Sequence, residues 1–219
     1  GNWNGVPGVF KGIVQNTVRG KQGWQNFRRP FCRNIWVAAL LPQRHEGGTE
    51  MELWDLYDAQ RRLVGADHIR GEELPDNCFH LVVHVWIRNH QGQYLLSQRA
   101  ADRPTFPLLW ECVGGSVLKG ETSLQGALRE VKEEVGLTLD GPTGQVVFTK
   151  TRAIAEGKKC NDILDVWLFP YQGPVSLENA TTREVAQVRW ATPAEIAALW
   201  EQGLFVPTLD YFFTLPSLC

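Results

Sequence analysis

The run "GGSVLKGETSLQGALREVKEEVGL", from Gly114 to Leu137, constrains this chain more than any other stretch. Thr122 or Ser123 can cap a helix, and Gly136 can take the left-handed conformation that closes one, so the run predicts a helix that starts near Thr122 or Ser123 and ends at Val135. At about 100° per residue, Leu124, Leu128, Val131 and Val135 fall on one stripe, with Ala127 at its edge. That stripe predicts the buried face. Glu130, Glu133 and Glu134 are related by i, i+3 and i, i+4 and share a second face, turned roughly 130° from the first. Carboxylates so placed repel one another by roughly a few tenths of a kcal/mol for each exposed pair, so something cationic should relieve them.

Composition alone would read these glutamates as a solvated acidic face. An exposed face normally alternates signs, however, whereas Lys132 points away from the carboxylates and Arg129 lies at their margin. Gly114 and Gly115 follow the strand-like "WECV" and allow close backbone approach, so a main-chain carbonyl could join the carboxylates around a hard cation. Oxygen ligands with no histidine or thiolate close in sequence suit Mg²⁺ or Mn²⁺ rather than zinc. Such an ion bridges substrate phosphates and helps to position an attacking water.

The surrounding sequence predicts an α/β fold with a mixed sheet. "ELWDLYDAQRRLVGADH" reads as two short strands around a polar turn, and "FHLVVHVWIRNHQGQYLLSQR" as a hairpin across "NHQGQ". "QVVFTKTRAI" and "NDILDVWLFPYQG" read as further strands. "TPAEIAALWEQG" reads as a helix capped by Thr192, with Pro193 in its first turn and Gly203 at its exit. Strands followed by alternating helices and strands suggest helices against the faces of one sheet.

At 219 residues and 43% hydrophobic, the chain suits one well-buried core. A formal charge of −2 supplies no basic field for long nucleic acid or an anionic membrane, so a phosphate-bearing ligand must be held locally. No apolar run approaches the roughly 20 residues that span a bilayer. The five cysteines are odd in number and form no CxxC pair, which fits reduced thiols in a cytoplasmic protein. Residues 1–50 stand apart, with seven basic residues against two acidic and no sustained period. The only methionine is Met51, so residues 1–50 are expected to be a weakly ordered or non-functional extension, and residues 51–219 the functional domain.

The Gly114–Leu137 run resembles the Nudix box, G-x5-E-x7-R-E-U-x-E-E-x-G-U, where U is a bulky aliphatic residue. Gly115, Glu121, Arg129, Glu130, Val131, Glu133, Glu134, Gly136 and Leu137 fill every specified position. The resemblance implies an α/β/α sandwich, hydrolysis of a diphosphate linkage in a nucleoside diphosphate joined to another group, and a Mg²⁺ or Mn²⁺ cofactor. It implies that Glu130, Glu133, Glu134 and the Gly114 carbonyl hold the metal, that Glu133 or Glu134 also activates water, and that Glu121 and Arg129 brace the loop. The flanking text resembles the branch close to type 1 isopentenyl-diphosphate isomerase, which carries "CGH" where this chain has Gly114-Gly115-Ser116. Loss of that cysteine and histidine favours hydrolysis over isomerisation. A non-catalytic nucleotide-binding module would be expected to lose box glutamates, and none is lost.

Outside the box, His80 sits where the isomerases supply a metal-binding histidine, but with its partner replaced by Ser116 it is expected to be a hydrogen-bonded structural residue. Asp162 and Glu184 are read as strand residues that could add a ligand or base, and Arg99 and Arg103 could meet a substrate phosphate. Cys112 and most tryptophans read as core. The expected partner is a small diphosphate. The apolar "FVPTLDYFFTL" could pack on a neighbouring subunit or on the domain itself.

Overall fold

Turn chemistry and apolar alternation set the first elements of the protein, whose computed structural model describes residues 51–153 and 161–218. The extension expected over residues 1–50 lies outside the described residues. Strands β1 (Leu53–Tyr57) and β2 (Leu63–Ile69) pair antiparallel as a separate two-stranded sheet. Asp58 forms their turn: its Oδ1 accepts from the N–H groups of Gln60 and Arg62, while Arg61 takes a left-handed φ of 62°.

The remaining strands are β3 (His80–Arg88), β4 (Tyr94–Arg99), β5 (Trp110–Glu111), β6 (Val113–Ser116), β7 (Gln145–Arg152), β8 (Asp162–Pro170) and β9 (Val185–Ala191). They form a mixed sheet in the order β5-β4-β3-β8-β7, with β6 added on β3 and β9 on β4. The hairpin expected across "NHQGQ" is present: Asn89 Oδ1 accepts from the N–H groups of Gln91 and Gln93, and Gly92 takes a φ of 75°. Its strands share only the Arg88–Tyr94 pair beside the turn. Beyond it β3 takes β6 antiparallel and β8 parallel, while β4 takes β5 and β9. The glycines of β6 allow this close approach, because a Cβ on Gly114 would lie 2.5 Å from the Val83 carbonyl oxygen.

Both faces of β3 are covered, which explains its near-continuous apolar sequence. Leu81, Val83, Val85 and Ile87 pack with Ala127, Val131 and Val135 of helix α1 (Ser123–Val135). Trp86 faces the other way, onto Ile196 and Leu199 of helix α2 (Pro193–Glu201) and onto Leu209, Tyr211 and Phe212 of a C-terminal 3-10 segment, Pro207–Phe213. This is the expected α/β/α sandwich. The C-terminal apolar stretch therefore packs on its own domain.

Helix α1 has the expected caps, with Thr122 and Gln125 exchanging hydrogen bonds and Gly136 at a φ of 71°. Its buried stripe is rotated from the expected one. Ala127, Val131 and Val135 are fully buried, whereas Leu124 and Leu128 are half-buried. The helix approaches the sheet through its smallest residues: a Cβ on Gly126 would lie 2.8 Å from Val117 Cγ2. That rotation carries Glu130 and Glu134 out of solvent, each to 8% exposure.

Candidate active site

Glu121 organises the loop between β6 and α1. Its Oε2 accepts from the Leu118 N–H at 2.9 Å and its Oε1 from Arg129 Nε at 2.8 Å. The same guanidinium reaches Glu130 Oε1 at 2.9 Å, Glu133 Oε2 at 3.0 Å and the Ser116 carbonyl at 2.8 Å. Arg129 is thus the centre of the carboxylate group rather than its margin, because its long side chain folds back across one helical turn. Glu130 lies directly over Gly115, where a Cβ would stand 2.3 Å from its Oε1. The second glycine of the pair exists to seat a glutamate.

These groups open into a cleft of about 260 Å³ whose lining includes Gly114, Glu130, Glu133, Glu134, Arg99, Arg103, Asp162 and Glu184. Every residue expected at the site therefore lines it, save Glu121, which braces the loop behind. Glu184 lies one residue before β9 rather than within a strand. It is held in place by the Thr181 and Thr182 N–H groups, which both bond to the Glu133 carbonyl, at 2.9 and 3.1 Å, and draw this loop over the end of α1. The two arginines expected to meet phosphate each already hold a carboxylate. Arg99 Nη1 reaches Glu111 Oε1 at 2.7 Å and Arg103 Nη2 reaches Glu184 Oε2 at 2.8 Å. Asp162 accepts from Arg152 Nε at 2.6 Å and Nη2 at 2.9 Å.

Burial raises the Glu130 carboxyl to about 7, with Glu133 adding to the rise and Arg129 opposing it. Burial also drives Glu134 well above the ordinary carboxylate range, reinforced by Glu130, Glu111 and Glu184. Glu111 rises for the same reason, Arg99 opposing. Histidine plays a different part. His80 is stacked on Trp54 with 3.9 Å between ring centroids and its Nδ1 is 3.1 Å from the Asn161 carbonyl oxygen. Burial lowers its pKa to about 3, which favours the neutral ring, and it is hydrogen-bonded as the sequence reading expects. Cys112 is buried in the core on the α2 side of the sheet, as expected.

Glu111, Arg70, Arg152 and Trp54 also line the cleft; the first three were missed from sequence, where Trp54 reads with most tryptophans as core, though able to stack on a base. Glu111 carried a signal, being a carboxylate between the apolar Trp110 and Cys112. The other three lie far along the chain from the box, on elements whose pairing brings them there.

The donor set fits a hard divalent cation. It is made of carboxylates, and among the described residues Glu134 has no hydrogen-bond or ion-pair partner. No three acidic, histidine or cysteine side chains among the described residues already stand as a metal-holding group, so a cation would be taken up with a change of glutamate rotamers.

Residues 79–209 match the family model of the NUDIX domain. The chain is 42% identical over 164 residues to a Nudix hydrolase of Listeria innocua, covering 74% of this chain and 91% of that one. It is 31% identical over 147 residues to the isopentenyl-diphosphate Delta-isomerase of Nocardia farcinica, covering 66% and 81% respectively. The crystal structure of DR0079 from Deinococcus radiodurans shares the fold, with a TM-score of 0.55 at 21% identity over 71% of this chain and 92% of that one. The protein belongs to the Nudix family, among its hydrolases. Among the described residues no helix is long and apolar enough to cross a membrane.

Proposed function

We propose that this hydrolase cleaves the diphosphate linkage of a nucleoside diphosphate joined to another moiety, or of a similar small diphosphate, with Mg²⁺ or Mn²⁺ as cofactor. The observation that carries the reading is the buried Glu134, without a hydrogen-bond or ion-pair partner among the described residues, facing Glu130, Glu111 and Glu184 in one cleft. Four carboxylates facing one cleft, two of them buried, are unfavourable in isolation and favourable around a cation. Glu130, Glu133, Glu134 and the Gly114 carbonyl would hold the ion. When bound, it would neutralise phosphate oxygens and lower the pKa of an associated water.

The chain's own residues do the rest. Glu133 or Glu134 orients and deprotonates the water whose oxygen bonds to one phosphorus while the bridging P–O bond breaks, leaving two phosphate-bearing products. Glu121 and Arg129 hold the loop and the glutamate rotamers in register. Arg99 and Arg103 would meet phosphate oxygens through charge-assisted hydrogen bonds, with Glu111 and Glu184 orienting their guanidinium groups. Glu184 or Asp162 would supply a further ligand or base.

Product analysis over a panel of nucleoside diphosphate derivatives with Mg²⁺ tests this directly. Two phosphate-containing products from at least one member are expected. Allylic rearrangement of isopentenyl diphosphate would establish the isomerase reading instead, and binding without turnover would establish a nucleotide-binding module. The first of these alternatives is disfavoured by Gly114-Gly115-Ser116, which lacks the isomerase cysteine and histidine.

A further inference from the structure

Among the described residues, one buried polar side-chain atom has no hydrogen-bond partner: the indole nitrogen of Trp54. Such donors are rarely left unpaired in a native interior, and one beside a cleft can be met by an acceptor that enters the cleft. Trp54 is 3% exposed and lines the cleft that holds the carboxylates. Its plane is fixed by the parallel stack on His80, only 6° from coplanar, and by its cross-strand neighbour His68.

The backbone on either side is clamped as well. The Leu53 carbonyl accepts from the Lys119 N–H at 2.8 Å and Asp55 Oδ2 accepts from the Gly120 N–H at 2.7 Å, so β1 is tied to the loop that carries Glu121. The indole therefore cannot turn to satisfy itself. Glu52, two residues from Trp54 and on the same side of β1, pairs with Arg70, and both line the cleft. Arg70 also bears electrostatically on Glu130, so the hairpin and the box glutamates face one ligand volume.

We propose that the Trp54 indole N–H donates to an anionic oxygen of the substrate, with the Arg70 guanidinium beside it, making the β1–β2 hairpin the wall that selects what the cleft accepts. This rests on reading the cleft as a diphosphate site. The acceptor is a phosphate oxygen, either of a bare diphosphate or of a diphosphate that an attached nucleoside seats against the hairpin.

Two non-hydrolysable probes with Mg²⁺ separate these sources in ¹⁵N-tryptophan-labelled full-length protein: methylenediphosphonate and α,β-methylene ADP. The Trp54 indole resonance is the one that vanishes in Trp54→Phe, a variant that keeps an aromatic ring against His80 and removes the donor. It is expected to move downfield on binding, and Trp54→Phe is expected to weaken the same probe about tenfold, the effect of one hydrogen bond to a charged group. Movement with methylenediphosphonate assigns the oxygen to the diphosphate. Movement with the nucleotide analogue alone shows that the attached nucleoside is needed to seat that oxygen against Trp54. Binding of both probes with the Trp54 resonance unmoved by each overturns the subsite while the hydrolase reading stands. Failure of both probes to bind at millimolar Mg²⁺ overturns the subsite together with the cleft reading beneath it. Should Trp54→Phe fold poorly, the resonance shift in the parent protein still decides the matter, with assignment by a Trp54→Tyr variant.

Discussion

Glu134 is held where it is least comfortable, buried and faced by three other carboxylates with Arg103 as its opposing charge. Replacing it with glutamine removes the like-charge strain and keeps the shape. Glu134→Gln is therefore expected to lower turnover by two orders of magnitude or more while leaving the melting temperature unchanged or raised, as steady-state assay and calorimetry would show together. Retained turnover would remove Glu134 from the site. Gly115→Ala is expected to act in the same direction by another route, since its methyl group would displace Glu130 and cost activity far more than stability. Both positions were legible in the sequence because their spacing along one helix and one strand fixes their relation. The reach of Arg129 was not, because a flexible side chain can face either way from the same backbone position. The burial of Glu130 and Glu134 was missed for a different reason. Helical spacing gives angles between residues, but the small side chains of Gly126 and Ala127 decide which angle faces the sheet.

The β1–β2 hairpin is latched at its turn by Arg61, whose Nη1 and Nη2 reach Asp165 at 2.6 and 2.5 Å. Burial by itself would raise the Asp165 carboxyl, but hydrogen bonds from Arg61, Ser123 and Thr149 outweigh it and hold the carboxyl below its ordinary 3.8. A carboxyl depressed on folding adds stability above its unfolded value, and that contribution is lost as pH falls through the folded value. Asp165→Asn is thus expected to cost about 1–3 kcal/mol at neutral pH. Denaturation series should show the gap to the parent shrinking below about pH 4. A constant gap would mean that packing, not charge, holds the latch. Gly136→Ala tests the other end of α1. It must adopt a left-handed φ of 71° with its Cβ 2.7 Å from the Ala180 backbone nitrogen, so a loss of about 1–3 kcal/mol is expected, together with loosening of the loop that carries Glu184. Neither contact could be read in sequence. Arg61 and Asp165 stand 104 residues apart and meet only because the hairpin folds across β8.

Across the whole molecule, the identity of most elements was legible while their pairing was not. Period and turn residues predicted strands, helices and caps, because these depend on neighbours a few positions away. The parting of β3 from β4 depends on which distant strand offers glycines to the edge of β3, and no local pattern encodes that. We propose that residues 51–219 form the functional domain. The protein shortened to this range is expected to keep its melting temperature and turnover, and a loss of either would give the first 50 residues a role. The family match begins at Phe79, yet the strand that grips the loop carrying Glu121 ends at Tyr57. Expressing only the matched region would therefore discard the brace along with the indole. Conversely, the hairpin is a cassette: exchanging it between relatives should change ligand preference while the glutamate helix stays as it is. Diversification in such a chain can proceed by trading a short ribbon rather than by redrawing a catalytic centre.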